Sequence, residues 1–142
     1  MEISIEKQLI SEKSEPYFIA ELSGNHDGDI DKAIKLIEVC KDIGVNAVKL
    51  QTYTPDTMTL KCSKPDFQIK GGIWKGYNLY DLYEKAHTPW DWHKILFKKA
   101  KDLDLTIFST PFDKTAIDLL ESLNVSVYKI ASFEITDLNL IK

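Results

Sequence analysis

Two short stretches decide how this chain is expected to fold: residues 46–52, "NAVKLQT", and residues 126–132, "SVYKIAS". Both are compact apolar runs rich in β-branched residues, which is typical of buried β-strands. Each also carries one lysine near its end, Lys49 in the first and Lys129 in the second. Lysine is among the residues least often buried without a partner. The pattern therefore predicts two interior strands that each present a cation at one end.

Strand-like and helical patterns alternate along the whole chain. The predicted strands lie at 17–21, 45–52, 104–112 and 125–132. Apolar residues at helical spacing follow Asp29, Thr88 and Asp113, which are the predicted N-caps of three helices. Strands separated by helices pair in parallel through right-handed crossovers. Two architectures fit this order, an open doubly wound sheet and part of a (β/α)₈ barrel. A complete barrel takes about 250 residues, so 142 residues would hold its first four β/α units.

The composition excludes several classes of protein. The 142 residues are 44% hydrophobic and 28% charged with a formal net charge of −4, which favours a globular domain without a general nucleic-acid surface. The first ten residues lack an apolar signal core, and no apolar run is long enough to span a membrane. With only two cysteines, Cys40 and Cys62, a reducing cytoplasmic location is expected.

Polar residues gather where each predicted strand ends. They are Glu21, Lys49, Gln51, Ser109, Thr110, Lys129, Ser132 and Glu134. Both candidate architectures bind ligands at the carboxyl ends of their strands. In a barrel, alternate strands contribute to one layer, so the two lysines could converge on a phosphate or carboxylate. The alternatives are a lysine that reaches solvent or pairs with a nearby carboxylate, and a Schiff-base nucleophile.

Two further features carry weaker signals. The connection from 53 to 87 is long for a strand-to-helix loop and holds glycines and aromatic residues, so it is expected to cover a substrate or contact a subunit, with a short helix near 79–85. His26 in "GNHDG" fits an acid or base, a metal ligand or a hydrogen-bonding loop residue. His93 near a helix start fits a structural role.

Four separate motifs, in order, carry a family resemblance. They are "IAELSGNHDGD", "AVKLQTY", "FSTPFD" and "YKIASFE", and they cover nearly the whole chain from about residue 16. Through them the chain resembles the sialic acid synthase family, whose members use phosphoenolpyruvate to build nine-carbon keto sugar acids. The segment 71–93, "GGIWKGYNLYDLYEKAHTPWDWH", is most similar to the pseudaminic acid branch of that family.

The resemblance implies a TIM barrel and a reaction. Phosphoenolpyruvate would condense with an open-chain N-acetylated amino sugar and release phosphate. The implied phosphoenolpyruvate ligands are Lys49, Thr110, Lys129 and Ser132. The implied catalytic residues are Glu21, Gln51 and Glu134. The implied sugar contacts are Phe112, Asn25 and His26.

The resemblance also concerns parts that lie outside residues 1–142. The family uses a divalent metal, Mn²⁺ or Mg²⁺, whose ligands belong to later strands, so no metal ligand is assigned here. Residues 1–142 are expected to form the N-terminal part of the barrel, without the second half-barrel and the antifreeze-like domain, and to be inactive alone. The full family enzyme is expected to be a dimer in the cytoplasm. The remaining alternatives are a Schiff-base aldolase on a related barrel and a non-catalytic half-barrel assembly module.

Overall fold

The computed structural model describes residues 2–142 as an α/β fold around a parallel sheet. The strands are β1 (Ile3–Ile5), β2 (Gln8–Ile10), β3 (Ile19–Glu21), β4 (Ala47–Thr52) and β5 (Thr106–Pro111). The helices are α1 (Ile30–Asp42), α2 (Pro55–Met58), α3 (Leu79–Ala86), α4 (Trp90–Asp102), α5 (Lys114–Ser122) and α6 (Leu138–Ile141), with 3₁₀ turns at Pro65–Phe67 and Glu134–Thr136. The parallel sheet has the order β3-β4-β5, and β1 and β2 form a separate antiparallel hairpin.

The sheet register sets out the carboxyl ends of the three strands side by side. Glu21 of β3 pairs with Lys49 of β4, which in turn pairs with Phe108 of β5. Two residues further on, Gln51 pairs with Thr110. Side chains in register on neighbouring parallel strands share one face, and every second residue returns to it. One face of the sheet therefore ends in a polar cluster.

The opposite face of the sheet packs on helices and contains the core. Its fully buried members include Ile37 of α1, Leu96 and Ala100 of α4, and Val48 of β4. The caps follow local sequence: the Asp29 side chain accepts hydrogen bonds from the backbone N–H groups of Asp31 and Lys32, as expected of an N-cap. These helices leave the other face of the sheet for the site.

The start of α4 differs from the sequence prediction. Helix α4 begins at Trp90 with Pro89 as its N-cap, so Thr88 is not the capping residue. Thr88 is instead 1% exposed, and its hydroxyl faces a ring nitrogen of His26 at 3.5 Å. The predicted cap at Asp113 is confirmed, since its side chain accepts from the backbone N–H of Ala116 in α5.

The predicted fourth strand is not formed. In place of a strand over 125–132, Tyr128 makes a single parallel bridge to Ser109, and the Lys129 N–H donates to the Ser109 carbonyl oxygen at 3.2 Å. The segment is bonded on one side only, because no strand flanks its other edge within residues 2–142, and an isolated ladder bond does not hold a strand extended. The first strand is also shorter than predicted, Ile19–Glu21 rather than 17–21. Three parallel strands are confirmed, while the barrel and its fourth unit stay predictions.

The N-terminal hairpin β1–β2 was not predicted from sequence. It contacts the amino ends of the parallel strands through its turn, where the Glu6 carboxylate accepts hydrogen bonds from Thr106 Oγ1 at 2.8 Å and Ser126 Oγ at 3.3 Å. Asn46 adds a second contact by donating to Gln8 Oε1 at 3.1 Å. The hairpin thus packs at the end of the sheet opposite to the polar cluster.

The long connection between β4 and α4 is an ordered arm. It contains α2, a 3₁₀ turn and α3, whose observed bounds confirm the helix expected near 79–85. Gln68 and Asn78 form an antiparallel bridge at the base of a turn that exposes Ile73 and Trp74. No helix of residues 2–142 combines the length and apolar character that crossing a membrane requires.

Candidate active site

Lys49 is the centre of the polar cluster. Its Nζ forms an ion pair with Glu21 and donates a hydrogen bond to Thr110 Oγ1 at 3.3 Å. The Lys49 side chain is 12% exposed, whereas that of Glu21 is 42% exposed. The three strands β3, β4 and β5 each supply one of these groups because their register aligns them. The result is a largely buried ammonium group with one carboxylate and one hydroxyl, at the mouth of the sheet.

One alternative for Lys49 was that it pairs with a nearby carboxylate, and its ion pair with Glu21 is such a contact. Pairing with a carboxylate does not account for Thr110, which is 1% exposed and whose hydroxyl accepts a hydrogen bond from the same ammonium group. An ammonium has three donors, and two of them are directed to Glu21 and Thr110. The arrangement leaves donor capacity for a ligand. Gln51 lies on the same face in register with Thr110.

Lys129 is placed beside the cluster rather than inside it. It is exposed, and its backbone bonds to Ser109 on the far edge of β5. The two lysines therefore flank β5, with Lys49 on one side and Lys129 on the other, and Thr110 between them. Ser132 is also exposed. The structure brings Lys49, Glu21, Gln51 and Thr110 together, and it leaves Lys129 and Ser132 at the rim.

Behind the cluster, three buried polar side chains form a hydrogen-bond chain. His93 Nδ1 lies 3.2 Å from the Pro89 carbonyl oxygen, so this nitrogen carries the hydrogen. His93 Nε2 is then the acceptor for Thr52 Oγ1 at 2.8 Å, and Thr52 in turn accepts from Ser109 Oγ at 2.6 Å. Burial lowers the pKa of His93, which keeps the ring neutral as this assignment requires. The sequence pattern predicted a structural role for His93 but carried no signal for its hydrogen bond to Thr52.

The chain of hydrogen bonds bears directly on the site. Thr52 follows Gln51 in β4, and Ser109 precedes Thr110 in β5. Their side chains point to the helix side, where Thr52 bonds to Ser109 across the two strands and also to His93 of α4. The carboxyl ends of β4 and β5 are thus held at a fixed separation by buried polar contacts.

The loop after β3 is stabilised by His26. This ring is 4% exposed, its Nδ1 accepts the Gly28 N–H at 3.0 Å, and it packs edge-on against Trp92 at 5.2 Å. Burial is the main reason that the pKa of His26 is lowered. These contacts favour the loop hydrogen-bonding role over direct contact with a sugar. Asn25 of the same loop is exposed and donates to the Leu22 carbonyl oxygen at 3.1 Å.

Glu134 has an unsatisfied carboxylate oxygen. It lies in the 3₁₀ turn after the 128–132 segment, and its Oε2 is buried without a hydrogen-bond partner among residues 2–142. Buried polar atoms nearly always have a partner, because an unpaired one costs free energy. Glu134 is therefore a carboxylate that lacks a donor.

An aromatic group borders the cluster. Phe112, which follows β5, packs edge-to-face on Tyr53 with ring centroids 5.6 Å apart. Tyr53 also contacts Tyr83 of the arm. A separate groove of about 560 Å³ between α5 and α6 reaches Phe112, Ile117 and Tyr128 and does not include Lys49.

The side chains of residues 2–142 do not fit a divalent metal. Among residues 2–142, no three His, Cys, Asp or Glu side chains are grouped so that they could hold a metal ion. His26 uses Nδ1 for Gly28 and turns Nε2 toward Thr88. These residues therefore do not form a metal site.

A profile of the NeuB family matches residues 36–142. The chain belongs to the NeuB family. It is 53% identical over 127 residues to the pseudaminic acid synthase of Helicobacter pylori, and the match covers 89% of this chain and 37% of that protein. It is 36% identical over 125 residues to the N,N'-diacetyllegionaminic acid synthase of Campylobacter jejuni, with 87% and 37% covered. The chain thus spans little more than a third of these relatives.

Solved structures have the same fold. The N-acetylneuraminic acid synthetase of Leptospira borgpetersenii matches 99% of this chain with a TM-score of 0.81 at 24% identity, and the match covers 45% of that protein. The spore coat polysaccharide biosynthesis protein SpsE of Bacillus subtilis matches 99% of this chain with a TM-score of 0.75 at 30% identity, covering 36% of that protein. The family resemblance found in the motifs is confirmed.

Proposed function

We propose that this NeuB-family chain carries the phosphoenolpyruvate end of a sugar-acid synthase active site, in a complete (β/α)₈ barrel whose first four units it supplies. The observation that carries the proposal is Lys49, a largely buried ammonium at the strand ends that contacts Glu21 and Thr110. Phosphoenolpyruvate is small and trianionic, and preorganised positive charge stabilises such a ligand. Lys49, Thr110, Lys129 and Ser132 are its proposed ligands.

The proposed reaction forms one carbon–carbon bond and breaks one carbon–oxygen bond to phosphate. C3 of phosphoenolpyruvate attacks the aldehyde carbon of an N-acetylated amino sugar, whose oxygen takes up a proton. Water adds to the resulting cationic C2 and loses a proton. The tetrahedral intermediate then expels phosphate and leaves the keto acid.

The remaining site residues have proposed roles in that sequence. Glu21 transfers a proton or orients a hydroxyl, since its carboxylate is 42% exposed beside Lys49. Gln51 and Glu134 are proposed to act near the reacting carbons, a role supported by the register of Gln51 with Thr110 and by the unpartnered oxygen of Glu134. Phe112 and Asn25 are proposed sugar contacts, and His26 supports the loop that carries Asn25.

The names of the relatives support the product class. Those proteins are synthases of pseudaminic, legionaminic and sialic acids, which indicates a sugar acid as product and, from the first relative, a pseudaminic-type acid. The Mn²⁺ or Mg²⁺ ion, the homodimer and the cytoplasmic location expected of the full family enzyme belong to the same proposal. The chain by itself is proposed to bind phosphoenolpyruvate without turnover.

The test is a titration of this chain with phosphoenolpyruvate followed by backbone amide chemical shifts. Saturable shifts at Lys49, Thr110 and Lys129 are expected, and they should disappear in a Lys49→Ala/Lys129→Ala double variant. The control is Lys94→Ala/Lys98→Ala, which removes the same charge from exposed positions of α4 and should bind as the parent does. Absence of binding by the folded parent, or equal binding by the first double variant, contradicts the proposal.

A further inference from the structure

Tyr53 occupies the next position outward on the face of the sheet that carries the site. It follows Thr52, the last residue of β4, so alternation returns its side chain to the face of Lys49 and Gln51. Thr52 pairs with Pro111, which makes Tyr53 and Phe112 the next neighbouring pair after Gln51 and Thr110. Their rings are 5.6 Å apart at 84°, as expected for neighbours in register. The pair lies about 7 Å beyond Gln51 and Thr110, at roughly 3.3 Å per strand residue.

Contacts from the arm and from α4 hold Tyr53 in one orientation. Tyr83 of α3 packs edge-to-face on its ring at 5.8 Å, and His87 lies 6.4 Å away. Trp90 Nε1 donates to the Tyr53 carbonyl oxygen at 3.2 Å. The residue is only 5% exposed. A ring packed on several sides positions its hydroxyl without a further loss of conformational entropy on binding.

The Tyr53 hydroxyl has no hydrogen-bond partner among the described residues. No side-chain hydrogen bond within residues 2–142 involves this oxygen. It is also not one of the fully buried side-chain atoms without a partner, which in this part of the chain are Asp113 Oδ2 and Glu134 Oε2. The hydroxyl therefore keeps an open side. Burial, with Tyr83 nearby, raises the pKa of Tyr53 to about 12. The group remains a neutral hydrogen-bond donor at any physiological pH, and buried tyrosines usually find a partner for this donor.

We propose that Tyr53 contacts the acceptor sugar, with its hydroxyl donating a hydrogen bond to a hydroxyl or N-acetyl oxygen and its ring edge completing the wall formed with Phe112. This inference rests on the proposed function. A neutral donor between aromatic rings suits an uncharged polyhydroxylated ligand, whereas the phosphate and carboxylate of phosphoenolpyruvate have the lysine cations to bind. A second substrate that extends outward from the proposed phosphoenolpyruvate ligands would meet the position beyond Thr110.

The test variant is Tyr53→Phe, which keeps the ring contacts and removes only the hydroxyl. The control is Tyr80→Phe, which removes a hydroxyl of the arm that already donates to a protein group, Asp56 Oδ1 at 3.1 Å. Each protein is titrated with a 2,4-diacetamido-2,4,6-trideoxyhexose, the kind of acceptor that a pseudaminic-type product requires, at saturating phosphoenolpyruvate, and separately with phosphoenolpyruvate alone. Loss of one neutral hydrogen bond of about 1 kcal/mol corresponds to about fivefold weaker binding. We expect that loss for the sugar in Tyr53→Phe only, with phosphoenolpyruvate affinity equal in all three proteins.

The outcomes separate the inference from the function on which it rests. Failure of the parent chain to bind phosphoenolpyruvate overturns both. The inference alone is overturned if the parent binds phosphoenolpyruvate normally but does not bind the sugar. It is also overturned alone if the parent and Tyr53→Phe bind the sugar with equal affinity. Ring-carbon signals of Tyr53 in the labelled parent chain give a readout that needs no variant. They should shift on addition of the sugar, and unchanged signals at sugar saturation also overturn the inference.

Discussion

At the residue scale, the state of Lys49 before a ligand arrives determines how the site responds to one. Its ammonium is shared between the Glu21 carboxylate and the Thr110 hydroxyl. The carboxylate is the more exposed partner and is attached to β3, an edge strand of the described sheet. An incoming anion competes with Glu21 for the same charge. Glu21 therefore opposes anion binding electrostatically, whatever it contributes to proton transfer.

Glu21→Gln is accordingly expected to bind phosphoenolpyruvate more tightly than the parent. The amide preserves the size of the side chain and removes the competing charge, and a partly exposed ion pair is worth up to about 1 kcal/mol, or about fivefold in affinity. Isothermal titration at low and high salt measures this. Glu15→Gln, an exposed change of equal charge, is the control. Weaker binding by Glu21→Gln than by the control would show that the carboxylate supports the ligand instead.

At the element scale, the buried chain of Ser109, Thr52 and His93 joins β4, β5 and α4 behind the site. When the His93 ring is neutral, Ser109 donates to Thr52, Thr52 donates to Nε2 of His93, and Nδ1 of His93 donates to the Pro89 carbonyl oxygen. A proton added to Nε2 removes the acceptor that Thr52 needs. The same elements that align the ligand-binding strand ends thus depend on the protonation state of one histidine.

This dependence predicts acid lability. The pKa of His93 is lowered in the folded chain, so the unfolded chain binds the proton more readily. The contribution of neutral His93 to the free energy of unfolding is fully present above pH 6.5, the ordinary pKa of histidine, and is lost as the pH falls below that value. Urea unfolding at about pH 7.5 and about pH 5.5, on either side of that value, should show a larger drop for the parent than for His93→Gln. The His93→Gln variant should still lose part of its free energy of unfolding at the lower pH, because the pKa of His26 is also lowered in the folded chain. An identical drop in both proteins would contradict this role for His93.

A second element-scale expectation concerns the N-terminal hairpin. Glu6 bonds to Thr106 at the start of β5 and to Ser126 before the bridged segment, so it links three parts of the chain. Glu6→Ala should lower the free energy of unfolding by about 1 kcal/mol, the usual net value of such hydrogen bonds. Glu2→Ala, an exposed carboxylate near β1, is the control and should leave it unchanged. Equal denaturation midpoints for all three proteins would show that the hairpin does not stabilise the sheet.

At the scale of the whole molecule, apolar side chains stand exposed at both edges of the parallel sheet. Phe18, just before β3, is 62% exposed, and Phe133, after the segment bridged to β5, is 91% exposed. Edge strands also present unpaired backbone groups, which favour pairing with another chain. We therefore expect residues 1–142 to self-associate as concentration rises.

The association should depend on these edges. Sedimentation velocity across a hundredfold concentration range is expected to show less association for Phe18→Lys/Phe133→Lys than for the parent. The single variant Ile43→Lys, at a 69% exposed position after α1, is the control for a lysine added away from the sheet edges. Association that persists equally in the edge variant would assign it to another surface.

What the sequence by itself determined was the order of the three parallel strands and of helices α1, α3, α4 and α5, the caps at Asp29 and Asp113, the polar character of the strand ends and the family. These follow from local properties, namely apolar periodicity, capping side chains and motif spacing. Alternation along β4 also places Lys49 and Gln51 on one face, because successive side chains of any strand point to opposite sides.

Only the tertiary structure decided which groups meet. Lys49 contacts Glu21 and Thr110, His93 bonds to Thr52, which bonds to Ser109, and Tyr53 lies against Phe112. These contacts depend on sheet register and on the position of α4, which involve residues tens of positions apart in the chain. The fourth strand shows the converse: residues 125–132 have a strand pattern, yet a strand needs backbone partners, and this segment makes one bridge on one side. Local pattern sets what a segment can form, and pairing with distant segments decides what it does form.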